Sequence, residues 1–147
     1  MAILALAPFD PYAALRSLMQ NRTDAGALAS FVGLVRGSAS GVTALRLDHY
    51  PVFTERALNQ IETDGRARFE VLDTLVMHRA GIVALGEPIV LVAAISAHRK
   101  TALAYVDYLM DRLKTEAPFW KKELGPTKNH WVEPRKEDYQ ARDNWEN

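Results

Sequence analysis

The residues best placed to do chemistry lie in one stretch, SAHRKTALAYVDYLMDRLKTEAPFWKKE, from Ser96 to Glu123. A cationic pair, His98-Arg99, opens it, and Lys114 and Lys121-Lys122 stand on either side of Pro118. A surface lysine would be the ordinary reading of each. Asp111 lies three residues before Lys114, and Glu116 and Glu123 flank Lys121, so each has an acid to pair with. The apolar company argues otherwise: Met110 sits one turn before Lys114, and Pro118-Phe119-Trp120 comes directly before Lys121. An ammonium beside such surfaces loses hydration and becomes a usable acid or base.

Three apolar runs each end in cations, at Arg36, at His78-Arg79 and at His98-Arg99. A lone arginine at a sheet edge usually just reaches into water. Three at equivalent places suit a shared anion, because guanidinium forks bind phosphate or carboxylate with two parallel hydrogen bonds. The four histidines, His49, His78, His98 and His130, lack partners at metal-ligand spacing, and no metal site is expected. There is no GxGxxG, Walker loop or GxSxG.

The elements that must position these groups follow from periodicity. Ala102, Val106, Leu109 and Leu113 recur at helical spacing and predict a core-facing stripe on a helix after His98. Pro118 disfavours helical geometry at Ala117 and should end that helix, then begin a short turn carrying Phe119-Trp120-Lys121. Earlier, residues 3–6, 26–35, 43–50 and 71–78 read as strands, and 81–85 with 88–96 as a hairpin around Gly86-Glu87. Asp10-Pro11 caps a helix over 12–19, and a second amphipathic helix covers 54–69. Gly37–Gly41 reads as a loop, and Trp131-Val132 as a last strand ending near Arg135. Residues 136–147 are a polar tail or short helix after a single domain spanning 1–135. Strands alternating with helices, several strands adjacent in sequence, define an α+β class.

With 147 residues, 48% of them hydrophobic, the chain can bury a real core. Lysine plus arginine balances aspartate plus glutamate at 18 each, so no global field recruits nucleic acid or an acidic membrane. The balance is uneven locally: from His98 to Arg135 eight basic residues face five acidic ones. Cysteine is absent, which removes disulfides, thiolate metal sites and a thiol nucleophile. The opening MAILALAPFD lacks the basic region of a signal peptide, and no apolar run reaches membrane-spanning length, so a soluble, cytoplasmic protein is expected.

The chain resembles the large, catalytic subunit family of molybdopterin synthases. The residues carrying the resemblance run in order as FVGLVR at 31–36, HYP at 49–51, HRAG at 78–81, SAHR at 96–99, LKT at 113–115 with APFWKKE at 117–123, and WVE at 131–133. It covers roughly residues 3 to 135, and the LKT-to-WKKE stretch is its most specific part. The departures are local. The family usually has Glu where this chain has Asp48, Gly-Met where it has Val52-Phe53, and often Thr where it has Leu34.

The resemblance implies an α/β hammerhead-like fold with an additional antiparallel β subdomain. It also implies a homodimer within a heterotetramer, each large subunit holding a small ubiquitin-like sulfur carrier. The carrier's Gly-Gly tail ends in a thiocarboxylate, and two sulfur transfers convert cyclic pyranopterin monophosphate into the molybdopterin dithiolene. No metal, nucleotide or other cofactor is implied at this step. Onto this chain the family's roles fall as Lys114 and Lys121 catalytic, and Arg36, His98, Arg99 and Arg135 substrate-binding. Phe31, Met110 and Phe119 would form the pocket wall. The competing class is a non-catalytic adaptor for a Gly-Gly tail, which would have no use for those cations together. Because Arg99 and Lys114 sit at opposite ends of one helix, the expected site is composite, with His98 and Arg99, and Arg135 as a third candidate, donated across a dimer interface.

Overall fold

The computed structural model describes residues 1–37, 41–126 and 129–146. The core of the Gly37–Gly41 loop therefore lies outside the described residues. Strands β1 (Ala2–Ala5), β2 (Ala27–Leu34), β4 (Asp73–Arg79) and β6 (Pro88–Ser96) form one sheet in the order β1-β4-β6-β2. β1 runs parallel to β4, and the other pairs are antiparallel. A second sheet, antiparallel throughout, has the order β5-β3-β7-β8, from β5 (Gly81–Ala84), β3 (Ala44–His49), β7 (Phe119–Leu124) and β8 (His130–Val132). This is the expected α+β architecture with its added antiparallel sheet.

Helices α2 (Phe53–Arg68) and α3 (Arg99–Glu116) cover one face of the first sheet. Alternate residues of the strands, Ala29 on β2, Val76 on β4 and Val90, Val92 and Ala94 on β6, point at them. From the helical side come Leu58, Ile61 and the predicted stripe of Ala102, Val106, Leu109 and Leu113, all buried. The two helices cross closely at Gly65. A Cβ there would stand 2.6 Å from the Leu109 side chain and 2.8 Å from Tyr105, so only glycine permits the approach. Helix α1 (Pro11–Met19) is capped by Asp10 as its sequence predicts, with Tyr12 N–H donating to Oδ1 at 2.9 Å. Among the described residues no helix is long and apolar enough to cross a membrane.

Two local expectations are corrected. Gly86, at φ +80°, does reverse the chain, but β5 and β6 do not pair as a hairpin. The break comes at Ala80 and Gly81 (φ +91°), where the chain leaves the first sheet. β5 then pairs with β3 in the second sheet, while β6 stays between β4 and β2. The second correction concerns Phe119-Trp120-Lys121, which form the start of strand β7 instead of a helical turn. Proline at 118 does end α3, but β3 supplies a ladder from Ala44 to His49, and its pairing overrides the local preference. The polar end of the chain forms helix α4 (Lys136–Asp143), which packs on α3, followed by a 3-10 turn at Asn144–Glu146. Trp145 anchors that turn by donating to Asp111 Oδ2 at 2.6 Å and meeting Phe69 and Tyr108 edge-on.

Candidate active site

The two sheets meet where the small core of Val35, Leu47 and Val83 joins the main one, with Ile89 and Phe119 packed against both. At this junction a cavity of about 780 Å³ opens, lined by Phe31, Arg36, His78, Met110, Lys114 and Lys121. A second hollow of about 550 Å³ shares Arg36, Lys114 and Lys121 and adds Phe119, Arg135 and Asp138. Together they make one groove with three cations at its middle and a fourth at its far end.

Each cation arrives on a different element. Arg36 follows β2, just past a bulge between Gly33 and Leu34 and next to Val35, which Gly86 and Glu87 hold by backbone hydrogen bonds. Lys114 lies in the last turn of α3, where the helix dipole favours positive charge. Lys121 emerges from β7 on the same face as Phe119, two residues earlier. Arg135 sits at the start of α4, where its N–H donates to Asp138 Oδ2 at 2.8 Å.

The turn between α3 and β7 is pinned from beneath by Thr54. This fully buried hydroxyl donates to the Pro118 carbonyl at 2.8 Å and accepts from Tyr50 N–H at 2.8 Å. It ties the first turn of α2 to the break that sets Lys114 and Lys121 apart.

Burial governs the titration of the groove. Lys121 is drawn down to about 8, first because it is desolvated and next because Lys114 repels its charge; Asp138 opposes the shift. His78 is drawn down to about 4, again chiefly by burial, with the Lys121 charge adding to the effect and the Arg79 carbonyl opposing it. Since a carbonyl only accepts, His78 Nδ1 carries the proton toward Arg79 O at 2.9 Å, and the ring is neutral. That ring lies flat on Phe119, with centroids 4.1 Å apart and planes 17° apart.

The structure thus brings together Arg36, Lys114, Lys121 and Arg135, with Phe31, Met110 and Phe119 as wall. His98 and Arg99 are not among them. They are exposed at the other end of α3 and line neither hollow. Arg79 departs from the idea of three converging strand-end arginines. It is buried, with Nη1 donating to Glu87 at 3.3 Å and Nη2 to the Ile82 carbonyl at 3.2 Å, so it braces the connection from β4 through β5 to β6 instead of facing an anion. Sequence reasoning missed His78 as a lining residue, along with Thr54 and Asp138. The acid three residues after Arg135 is a helix-start signal that pointed to Asp138; Thr54 carried no signal beyond its place after Pro51.

A four-cation groove with a desolvated lysine defines an anion-handling site, and comparison with known proteins gives it a family. Residues 4–116 match the MoaE protein family, and the chain belongs to it. The molybdopterin synthase catalytic subunit of Caulobacter vibrioides is 42% identical over 139 residues, covering 95% of this chain and 93% of that relative. The molybdopterin biosynthesis MoaE protein from Burkholderia ambifaria superposes with a TM-score of 0.83 at 39% identity, over 100% of this chain and 98% of the other. Molybdopterin synthase from Staphylococcus aureus gives a TM-score of 0.79 at 29% identity, over 88% and 94%.

Proposed function

We propose that this chain is the catalytic subunit of a molybdopterin synthase, a cytoplasmic sulfurtransferase. It moves sulfur from the C-terminal thiocarboxylate of a small ubiquitin-like carrier to cyclic pyranopterin monophosphate, forming the molybdopterin dithiolene. The observation that carries this reading is the convergence of Arg36, Lys114 and Lys121 on one groove. Both ligands are anions: the substrate has a phosphate, and the carrier tail has a thiocarboxylate.

The roles follow from charge and position. Arg36 and Arg135, at separate places along the groove, hold phosphate and pterin through guanidinium forks. Lys114 and Lys121 neutralise the carrier tail and stabilise the oxyanion that forms at its carbonyl. Lys121, with its proton held only to about 8, also releases and recovers a proton near neutral pH, as a general acid or base should. Phe31, Met110 and Phe119 supply a wall that keeps water from the reacting atoms.

His98 and Arg99 enter from a second copy of the chain. From the far end of α3 they cannot reach the substrate beside Lys114 in their own subunit, but in a two-fold dimer they complete the partner's groove. The homodimer with two carriers makes the heterotetramer.

The test is reconstitution of the purified chain with thiocarboxylated carrier and cyclic pyranopterin monophosphate. Molybdopterin should form, with the carrier left as its ordinary carboxylate. A chain that binds the carrier tail but yields no product would be an adaptor, and the proposal would fall.

A further inference from the structure

His78 has no role in the chemistry above, yet it is buried in the groove wall beside the lysines. Three facts fix its state. Its Nδ1–H is committed to the Arg79 carbonyl at 2.9 Å. Its face is committed to Phe119 at 4.1 Å. Phe119 and Lys121 project from the same face of β7, so the stacked rings lie alongside the lysine stem, about 7 Å along the strand. We infer that His78 is a positioning residue for Lys121: its uncharged ring, stacked on Phe119, is the wall that keeps water off the Lys121 ammonium.

The surroundings support a wall over a charge partner. The cations facing Lys121 are Lys114 from α3, Arg36 after β2 and Arg135 before α4. The acids are Glu123 on β7 itself, Glu133 in the β8–α4 connection and Asp138 on α4, where Tyr139 also lines the hollow. On β3 the residue paired with Lys121 is Leu47, and His49 is paired with Phe119. His78 is the group that β4 contributes to this groove. Desolvation is the leading cause of the Lys121 shift, ahead of any of these charges, and no hydrogen bond from His78 to Lys121 is present. A histidine suits the place because its flat ring stacks like an aromatic side chain while its Nδ1–H satisfies a buried carbonyl.

The inference rests on the proposed reaction only for what Lys121 does there. Its test needs neither carrier nor substrate. The chain is labelled with 13C at lysine Cε and titrated by NMR, the Lys121 signal being assigned by its loss in Lys121→Arg. The wild-type midpoint should fall near 8. In His78→Ala, water enters the gap and the midpoint should rise by roughly one pH unit toward that of an ordinary lysine. His78→Phe keeps a neutral ring on Phe119, so it should hold the midpoint low even though the Arg79 carbonyl loses its donor and the protein melts earlier. Phe119→Ala removes the stack from the other side and should act like His78→Ala, which keeps the test open should His78→Ala fail to fold. A role confined to stability would lower the melting temperature and leave the midpoint in place. An unmoved midpoint in the two alanine variants overturns the inference. So does a midpoint in His78→Phe that rises as far as in Phe119→Ala.

Discussion

Arg99 and Lys114 stand at the two ends of α3, fifteen residues and about 22 Å apart. Arg99 is exposed where the helix begins, while Lys114 lines the groove where it ends. A small pterin cannot touch both in one subunit. If Arg99 serves the partner's groove, inactive Arg99→Ala and Lys114→Ala proteins should complement each other. After full subunit exchange, half the dimers are mixed, and each of these has one intact site. About one quarter of wild-type activity should therefore return. Verified exchange with activity left at the parental level would place Arg99 outside the site.

Arg36 lies in both hollows beside the lysines, where a fork to the substrate phosphate is within its chemistry. Arg36→Ala should weaken substrate binding by about ten- to a hundredfold, the usual worth of a charge-assisted hydrogen bond. Carrier affinity should change little. Calorimetric titration of each ligand separates the two, and equal losses would show that Arg36 is not selective for the phosphate.

Val52 sits at φ 71°, ψ −48°, ahead of α2, in a region where a β-branched residue is strained. Val52→Gly should therefore stabilise the protein by about 1 kcal/mol, since the relieved strain exceeds the extra chain entropy of glycine. Urea unfolding checks this, and a lower midpoint would mean that Val52 packing outweighs its backbone cost.

His78 also sets an acid limit on the fold. Its folded value of about 4 lies below the ordinary 6.5, so between these pH values the unfolded chain binds a proton that the native chain refuses. Stability falls as pH drops through that window, by about 3 kcal/mol at pH 4, and is unaffected by this group above pH 6.5. His78→Phe should lack this component. The difference between its pH–stability curve and the wild-type curve should carry the 4-to-6.5 slope, and parallel curves would contradict it.

Much of this was legible from residue spacing. The stripe of Ala102, Val106, Leu109 and Leu113 foretold which side of α3 meets the sheet, because helical periodicity is a local property. Lys114 and Lys121 were singled out by their apolar neighbours, and the same burial now lowers Lys121. What escaped was long-range. Whether β5 pairs with β6 or β3, and whether Phe119 begins a turn or a strand, depends on a partner strand some seventy residues away in the latter case. Arg79 and Arg36 both end apolar runs, yet one is buried against Glu87 and the other faces the groove. Nothing local distinguishes them. His78 looked like a strand-end cation until the fold laid it neutral on Phe119.

We assign sulfur transfer to the lysines at the break between α3 and β7, Lys114 and Lys121. Lys114 lies at the surface end of a helix, so Lys114→Ala should leave the fold intact, and the carrier should still bind. The most direct measurement is molybdopterin formed by Lys114→Ala from thiocarboxylated carrier and cyclic pyranopterin monophosphate, with circular dichroism and carrier binding recorded on the same preparation. The expected result is a folded, carrier-binding protein whose product formation falls by at least about a hundredfold, the usual cost of losing one oxyanion-stabilising group. Product at close to the wild-type rate would make Lys114 a surface lysine and contradict the account.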